Sequence, residues 1–455
     1  MSMWYRNKLL ETFNWMNWRA NYQKIDKSDT QILKKWKEET RSKGFRKIWN
    51  NKGTIPYCYG LPKEKDIEKL RPIVSYSKHP MKKQFNQIGR ILLFMLKRTK
   101  IRSLNLWKTG NIKEEIKEAN KMIDQWGGEI EVEMEVHDIK EMYTCLPHKS
   151  ILEAVRKVIE LFQNLHGDTV TIIGNREKDI KIGKVKHNKN YNVNQIIETI
   201  KQDLNNAVFK CGTLKVIQTI GIPMGSPLSP ALAITTCAIA ENQMMEDLMD
   251  NYKFRAMRYM DDIWICTMKQ RLEEPMKVEK IFEYYDKNLK VERERKGQHV
   301  RFLDREIIWT GNKLTTTDFN KNIENLRTFG TRRFQNTIPE ISYSKRKLKK
   351  AIIVGKLSRV QRNTMNDMNL FVLGWIALLE LGLLGYKKNL LQDCCGWMDA
   401  RYHTSIWRPL FDCFMLVGNY CMFPPFNNLQ VEGIKIAQRE DKVVGLCESE
   451  GRSKV

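Results

Sequence analysis

Cysteine is sparse in this chain of 455 residues, and the cysteines that are present form no framework. None of the ten belongs to a Cys-x-x-Cys pair, and the densest group lacks the two short ligand pairs of a typical zinc site. We therefore predict reduced thiols in an intracellular, reducing compartment, with metal binding by this group as an open alternative. The group comprises Cys394, Cys395, His403, Cys413 and Cys421.

The sequence also lacks an export signal, a membrane span, internal repeats and low-complexity tracts. Residues 1–6 contain no apolar segment of the kind found in signal peptides. The apolar stretch 370–386 is shorter than the ~20 residues that a transmembrane helix needs, and it contains Glu380. We expect a pair of buried helices there and no membrane partner.

Acidic residues are fewer than basic ones: the chain has 53 Asp and Glu and 78 Lys and Arg, which gives a formal net charge of +25. An apolar fraction of 42% excludes a disordered chain. The surplus of positive charge favours a polyanionic partner, nucleic acid above all, over a soluble protein that is merely basic.

Hydrophobic patterning predicts helices and strands mixed around a small sheet, so the fold class is α+β. Alternation over residues 130–137 predicts a half-exposed strand that ends just before Asp138. Apolar, β-prone residues on both sides of an Asp-Asp pair predict a strand, a tight turn and a second strand over 253–268. Helical patterns cover 80–100, 149–164, 195–208, 228–250 and 275–288, with further basic helices in 1–50 and beyond about 320.

Three acidic residues carry the strongest chemical signal. Asp261 and Asp262 form the one Asp-Asp pair of the sequence, at the tip of the predicted hairpin, and Asp138 stands at a strand end. Mg²⁺ prefers such oxygen ligands, and two ions about 3.5–4 Å apart would activate an attacking oxygen and stabilise a leaving one. The arrangement favours nucleotidyl transfer, whereas a hairpin tip charged only for solubility is the alternative.

A segment rich in glycine and proline precedes a predicted helix at residues 221–230, Gly-Ile-Pro-Met-Gly-Ser-Pro-Leu-Ser-Pro. Glycine allows the backbone to approach a base or a phosphate closely, and a helix start offers free N–H groups. Without further context, the segment is an ordinary loop before a helix.

In this order, the features resemble the motifs of reverse transcriptases. Asp138 with Tyr143, the segment 221–230, and Tyr-Met-Asp-Asp at 259–262 match their central motifs. Residues 61–63 and 70–75 are similar to the fingers segment, and residues 206–225 and 302–304 resemble Penelope-like and telomerase-type retroelement enzymes. The resemblance spans about 55–360 and implies a right-hand polymerase with fingers, palm and thumb. The implied domains are a basic helical extension (1–50), fingers (51–130), palm (131–310, with a fingers insertion at about 149–210), thumb (311–365) and a helical region of unknown role (366–455).

The resemblance also assigns roles to residues. Asp138, Ile139 and Asp261 would bind two Mg²⁺ ions, with Mn²⁺ as an alternative, and Asp262 would complete the catalytic set. The implied nucleotide-binding residues are Lys63, Arg71, Tyr143, Gly225, Ser226 and Met260. The implied nucleic-acid-binding residues are Phe302, Leu303, Asp304, Arg332, Arg333, Lys345, Arg346, Lys347, Lys349 and Lys350.

Tyr143 bears most directly on the substrate. Reverse transcriptases carry Phe or Tyr at this distance from the first aspartate, where the ring excludes a 2′-OH, so the resemblance implies deoxynucleotides. Met224 departs from the Gln of many relatives, although Penelope-like sequences often carry Met there. The alternatives are an RNA-dependent RNA polymerase, a terminal transferase, and a domesticated nucleic-acid-binding protein without turnover.

The implied partners are an RNA template, a DNA or RNA primer, and dNTPs. The sequence shows neither an endonuclease pattern nor the acidic set of a ribonuclease H, so we expect a separate endonuclease if the protein serves a retroelement. The basic run 345–350 fits backbone binding by a thumb, and it also fits a nuclear-import signal, which makes the nucleus a candidate compartment.

Overall fold

The chain divides into two compact units in the structure, a computed structural model. It describes residues 21–42, 49–63, 66–127, 129–249, 251–270, 276–334 and 337–421. Unit 1 comprises the described residues of Met1–Asn105, His137–Thr267 and Glu274–Glu294. Unit 2 comprises those of Leu106–Val136, Met268–Glu273 and Arg295–Val455.

Unit 1 mixes helices with three sheets. Its helices are α1 (Asp29–Ser42), α2 (Lys82–Arg98), α4 (Met142–Cys145), α5 (His148–His166), α6 (Val193–Asn205), α7 (Ser229–Leu248) and α8 (Glu279–Phe282). The intervening helix α3 (Ile112–Trp126) belongs to unit 2. Five strands pair in the order β1 (Tyr22–Lys24), β9 (Leu214–Gln218), β8 (Val208–Cys211), β2 (Tyr57–Lys63), β3 (Asp66–Ser75). A small sheet has the order β6 (Ile180–Ile182), β5 (Thr169–Ile172), β7 (Lys189–Asn192).

The sheet that carries the predicted aspartates has four strands. Its order is β10 (Phe254–Tyr259), β11 (Asp262–Gln270), β4 (Ile130–Lys140), β12 (Lys290–Gly297). Unit 1 contains β10, β11 as far as Thr267, β4 from His137, and β12 as far as Glu294.

Helix α2 shows why this sequence folds as it does. Its apolar residues Ile88, Ile91, Leu92 and Met95 recur at helical spacing, and all four are completely buried in the core of unit 1. The basic residues of its last turn stabilise the helix by facing the negative end of the helix dipole. The same core holds the inner faces of α5, α6 and α7.

Unit 2 is mainly helical. Its helices are α3, α9 (Ile323–Phe329), α10 (Arg346–Asn363), α11 (Asp367–Leu383), α12 (Lys388–Tyr402) and α13 (Trp407–Cys421). A three-stranded sheet has the order β13 (His299–Phe302), β14 (Arg305–Trp309), β15 (Leu314–Asp318). The apolar core of this unit joins α10, α11, α12 and α13.

The α+β class is confirmed, and so are most of the predicted elements. Three details differ. Strand β4 continues to Lys140, so Asp138 lies within the strand and not after it. The predicted helix over 275–288 is a single turn, Glu279–Phe282, because Asp286 accepts hydrogen bonds from the backbone of Asn288 and from Ser150 and so forms a turn.

The apolar stretch 370–386 is the third difference. It forms one helix, α11, and not a pair. Among the described helices, none combines the length and the hydropathy that a bilayer crossing requires. Glu380 is buried in this helix and paired with Lys356, and it accepts hydrogen bonds from Asn320 (2.8 Å) and Asn322 (2.7 Å). Burial opposes the charged carboxylate, but Lys356 and the two amides hold its pKa below the usual range.

Candidate active site

A tight hairpin turn places Asp261 at the end of two paired strands. Strands β10 and β11 are antiparallel, and the pair Tyr259–Asp262 leaves Met260 and Asp261 as the turn. Met260 has a φ of 58°, in the left-handed region that residues with a Cβ seldom occupy. Such conformations cost about 1–3 kcal/mol and persist where the surroundings enforce them, often at functional sites.

A buried ion pair holds this turn. Arg258 is completely buried, and its Nη1 donates to the carbonyl oxygen of Met260 at 3.0 Å. Its Nε and Nη2 donate to the carboxylate of Glu241, which is also buried. Tyr285 and the backbone N–H of Leu104 donate to the same carboxylate at 2.8 and 3.0 Å. Although burial disfavours the charged guanidinium, Glu241 holds the pKa of Arg258 above its ordinary value.

Asp138 and Asp261 are brought together by adjacent backbone. The N–H of Ile139 in β4 donates to the carbonyl oxygen of Asp261 at 2.9 Å, which fixes the turn against the strand that carries Asp138. Burial raises the pKa of Asp261, and the nearby Asp138 carboxylate raises it further. The backbone N–H of Asp261 itself, Arg71 and Lys140 act in the opposite direction. Two carboxylates therefore share one partly buried site.

Lys140 is a member of this site that the sequence reasoning missed. Its Nζ lies 2.5 Å from Asp138 Oδ2 and 3.9 Å from a Glu292 oxygen. Burial lowers the pKa of Lys140, but Asp138 outweighs burial and the net pKa is raised. The signal was present in the sequence, because residues two apart in a strand face the same side of the sheet.

The donor set fits a hard divalent cation. Asp138 and Asp261 offer carboxylate oxygens, and Mg²⁺ is commonly held by one or two carboxylates while substrate phosphates and water complete the shell. Within the described part of the chain, no cluster of three or more His, Cys, Asp or Glu side chains is arranged to hold a metal. Two carboxylates leave positions around such an ion for phosphate and water oxygens.

Tyr143 lies beside Asp261. Glu141 takes a left-handed conformation with a φ of 52°, which ends β4 and starts the single turn of α4. This places the half-buried Tyr143 ring at the site, where burial and then the Asp261 charge raise the pKa of its hydroxyl well above the usual range. The backbone carbonyl of Tyr143 accepts from the N–H of Ile222 at 2.6 Å. The glycine-proline loop is thereby tied to the same corner.

Two glycines of that loop are required by close backbone contacts. Gly221 has a φ of 81°, and a Cβ there would lie 2.6 Å from the carbonyl oxygens of Tyr143 and Thr144. Gly225 has a φ of 125°, and a Cβ there would lie 2.2 Å from the carbonyl oxygen of Val74 in β3. The N–H of Val74 also donates to the carbonyl oxygen of Met224 at 2.7 Å. The loop thus joins β3, through its backbone, to the corner that holds Asp261 and Tyr143.

Ser226 of the same loop is a buried residue in the structure. This residue is 2% exposed, and its hydroxyl donates to Asp203 at 2.9 Å. Burial raises the pKa of Asp203 to about 7, although hydrogen bonds from Ser226 and Tyr76 act against the rise. Ser226 thus has almost no exposed surface and supports the loop from beneath, and a nucleotide contact by this residue stays a prediction. Arg71 is exposed, and the side chain of Lys63 lies outside the described residues.

In unit 2, the predicted primer-contacting segment forms the turn between β13 and β14. Phe302 is completely buried, so its side chain packs within the unit, and nucleic-acid binding by it stays a prediction. Leu303 has a φ of 54° and Asp304 is exposed. Leu303 and Asp304 are therefore the members of this segment that offer surface to a primer.

The predicted basic surface of unit 2 divides into exposed and paired residues. Lys349 pairs with Glu340, and Arg332 lies 3.9 Å from the buried Glu380 with its side chain 10% exposed. These two side chains are therefore engaged by carboxylates within the unit. The exposed members of the surface are Arg333, Lys345, Arg346, Lys347 and Lys350.

The cysteine-rich group does not form a metal centre in the part that is described. Cys394 and Cys395 are buried in the helical core, Cys413 is half-buried, and His403 ends α12 in a left-handed conformation. The side chain of Cys421 lies outside the described residues.

No protein-family model and no curated protein sequence matches the chain. Solved structures do match it. The telomerase from Candida albicans, in complex with the TWJ fragment of telomeric RNA, gives a TM-score of 0.57 at 14% identity over 95% of this chain and 70% of that chain. The apo telomerase from Candida tropicalis gives a TM-score of 0.50 at 12% identity over 85% of this chain and 64% of that chain. At these identities the likeness concerns the fold, and this chain has the right-hand polymerase fold of the telomerase structures, with a mainly helical C-terminal part.

Proposed function

We propose that this protein is an RNA-directed DNA polymerase that extends a primer 3′-OH with dNTPs. The observation that carries the proposal is the convergence of Asp138, Asp261 and Tyr143 at one strained turn, on a polymerase fold. Paired carboxylates that lie beside an aromatic ring, and within the influence of an exposed arginine, are the groups that nucleotidyl transfer requires.

Asp138 and Asp261 would hold Mg²⁺, or Mn²⁺ as an alternative, together with the carbonyl oxygen of Ile139 and with Asp262 beside them. When bound, such ions stabilise the negative charge that develops on the attacking and leaving oxygens of a phosphoryl group. Because burial and mutual repulsion raise the pKa of Asp261, the pair favours a bound cation over two free charges.

The reaction is the attack of the primer 3′-oxygen on the α-phosphorus of a dNTP. A new P–O bond forms, the bond to the β-phosphate breaks, and pyrophosphate leaves while the hydroxyl proton passes to water. Arg71 acts electrostatically on Asp261, so its guanidinium lies within reach of the charge that grows on the triphosphate. The loop around Gly225 fixes β3, the strand that carries Arg71, to the same corner.

Tyr143 supports a preference for deoxynucleotides. Its ring is half-buried beside Asp261, where a sugar would lie next to the reacting phosphate. A ribose 2′-OH at this point would collide with the ring, and the chain would have to displace packed residues to admit it. Met260 borders the same space at the turn.

An RNA template is the partner that we propose for the exposed cations of unit 2, because backbone phosphates give sequence-independent affinity to such residues. A telomerase of the same fold was solved with telomeric RNA, which adds support. We propose further that the primer is DNA or RNA, that the protein serves a retroelement, and that a separate endonuclease provides the 3′ end.

The test is primer extension on an RNA template with Mg²⁺ and dNTPs by purified full-length protein. Asp261→Asn should abolish extension and leave the affinity for primer-template nearly unchanged. Asp26→Asn removes an acid whose side chain is 82% exposed and should change neither property, which makes it the matched control. Equal loss of extension and of affinity in Asp261→Asn would refute the role of Asp261 as a metal ligand.

A further inference from the structure

A cavity of about 430 Å³ opens in unit 2 beside the first turn of α3. Its lining includes Lys108 from the segment before that helix, Lys113 and Glu114 from its first turn, Gln361 and Arg362 from the end of α10, and Tyr402 from the end of α12. The volume falls within the range of about 300–1,000 Å³ that is usual for ligand pockets. No residue of this cavity belongs to the proposed active site.

The lining carries three cations and one carboxylate. Lys113 Nζ donates to the backbone carbonyl of Gln361 at 3.0 Å, and Arg362 Nε donates to that of Ser358 at 3.1 Å. Within the described residues, neither Lys108, Lys113 nor Arg362 forms an ion pair with a carboxylate. Their positive charge is therefore turned toward neutral partners and the cavity.

A fourth cation lies behind the cavity wall. Arg305 is 2% exposed, and its Nη2 donates at 2.7 Å to the carbonyl of Thr109, the residue between two lining positions. Its Nη1 is buried and finds no hydrogen-bond partner among the described residues. The opposite strand places Asp318 across from Arg305, but that carboxylate is bonded to Arg359 and Asn363. An arginine side chain stays charged in proteins, so Nη1 is a buried charged donor without an acceptor among the described residues, although Asp318, Glu114 and Asp304 offset part of the charge.

The electrostatics of these groups agree with their geometry. Burial lowers the pKa of Lys113 to about 8, Arg305 and Lys117 lower it further, and Glu114 and Asp367 act against the shift. Burial also lowers the pKa of Arg305 to about 10, where Asp318 and Glu114 act against the shift and Arg362 adds to it. Helix α3 begins here without a side-chain cap, so the positive end of its dipole faces the same region. An anion would relieve the repulsion among these cations.

We propose that this cavity binds a phosphate group. Ammonium groups, a guanidinium and a helix start converge on it from different elements, which matches the several oxygens of a phosphate better than a single carboxylate. The phosphate could come from the backbone of a nucleic acid or from a free phosphorylated molecule. The first source extends the proposed function, and the second is independent of it.

Fluorescence anisotropy with a short labelled single-stranded RNA, in the absence of nucleotides, tests the first source on the full chain. Lys108→Gln and Lys113→Gln should each weaken binding by about tenfold at low salt, and each should reduce the slope of log affinity against log salt by about 1. Lys121→Gln removes the same charge from α3 outside the cavity and should leave both quantities unchanged. Lys108 is exposed, so its variant tests the proposal even if the Lys113 variant fails to fold.

Calorimetric titration with inorganic pyrophosphate tests the second source. If the cavity serves a free phosphorylated molecule, both variants lose pyrophosphate binding while their RNA affinity equals that of the control. If neither ligand distinguishes the cavity variants from Lys121→Gln, the proposal is refuted. Because no catalysis is measured, a protein that fails to extend primers but shows these differences would refute the polymerase proposal alone.

Discussion

The buried pair of Arg258 and Glu241 gives the sharpest test of how the turn that carries Asp261 is held. Replacing Arg258 by Met keeps a long side chain at this position but removes the charged partner of the buried Glu241. Removing one member of a buried ion pair costs about 3–5 kcal/mol, because the other charge is left uncompensated. Since whole domains are stable by only about 5–15 kcal/mol, Arg258→Met should lower the urea midpoint strongly.

A second substitution separates stability from positioning. In the double variant Arg258→Met with Glu241→Gln, no buried charge remains, and the Gln oxygen can still accept from Tyr285 or from the N–H of Leu104. We expect it to recover most of the free energy of unfolding, to within about 1–2 kcal/mol, since what is lost is chiefly the hydrogen bond to Met260. The turn would still lack that donor, so primer extension should stay reduced by on the order of 10²-fold.

The measurements are urea denaturation followed by circular dichroism and single-nucleotide extension at saturating primer-template. We expect kcat to fall more than KM for the nucleotide rises, because the turn carries Asp261, the proposed metal ligand, while Met260 beside it only borders the proposed nucleotide space. If the double variant regains wild-type kcat together with its stability, Arg258 has no positioning role. If the single variant loses less than about 1 kcal/mol, the pair is not the buried anchor described here.

Three further predictions follow from other contacts. Gly225→Ala should lower the free energy of unfolding, measured in urea, by at least about 2 kcal/mol. Gly212→Ala is the control and should lower it much less, because Gly212 also has a positive φ but has open space around it. Equal losses in the two variants would contradict the close contact between Gly225 and Val74. Asp203, whose pKa rises from 3.8 to about 7 on burial, contributes stability that is present below pH 4 and lost as the pH rises to 7, by up to about 4 kcal/mol. Urea denaturation across that range should show this decline in the wild type and not in Asp203→Asn, and a persistent decline would assign it elsewhere. Tyr143→Ala should admit ribonucleotides in single-nucleotide extension, and an unchanged preference for dNTPs would refute steric exclusion.

The sequence predicted those parts of the fold that depend on local patterns. Helix α2 and strand β4 follow from periodicity, and the turn at 260–261 follows from β-prone residues around an acidic pair. The end of β4 was placed three residues too early, because the alternating pattern stops at His137 while the strand continues to Lys140. The local pattern therefore located Asp138 and Asp261, but it did not predict the strand pairing that surrounds them.

The parts that were missed depend on contacts between distant residues. Glu241 reaches Arg258 across 17 residues, and no spacing rule indicates that a long, mostly apolar helix carries the acid that anchors a turn. Likewise, the resemblance to reverse transcriptases implied a nucleotide contact for Ser226, whereas its burial against Asp203 arises only when α6 and the loop come together. Burial of polar residues is a tertiary property, and sequence patterns do not encode it locally.

The most direct measurement is extension of a primer on an RNA template by the purified wild-type protein, with dNTPs and NTPs supplied in parallel and with a template-free reaction beside them. The proposed function predicts template-dependent extension with dNTPs and little or none with NTPs. Extension with NTPs alone would make the protein an RNA polymerase, and extension without a template would make it a terminal transferase. Either result would contradict the assignment of this site to RNA-directed DNA synthesis.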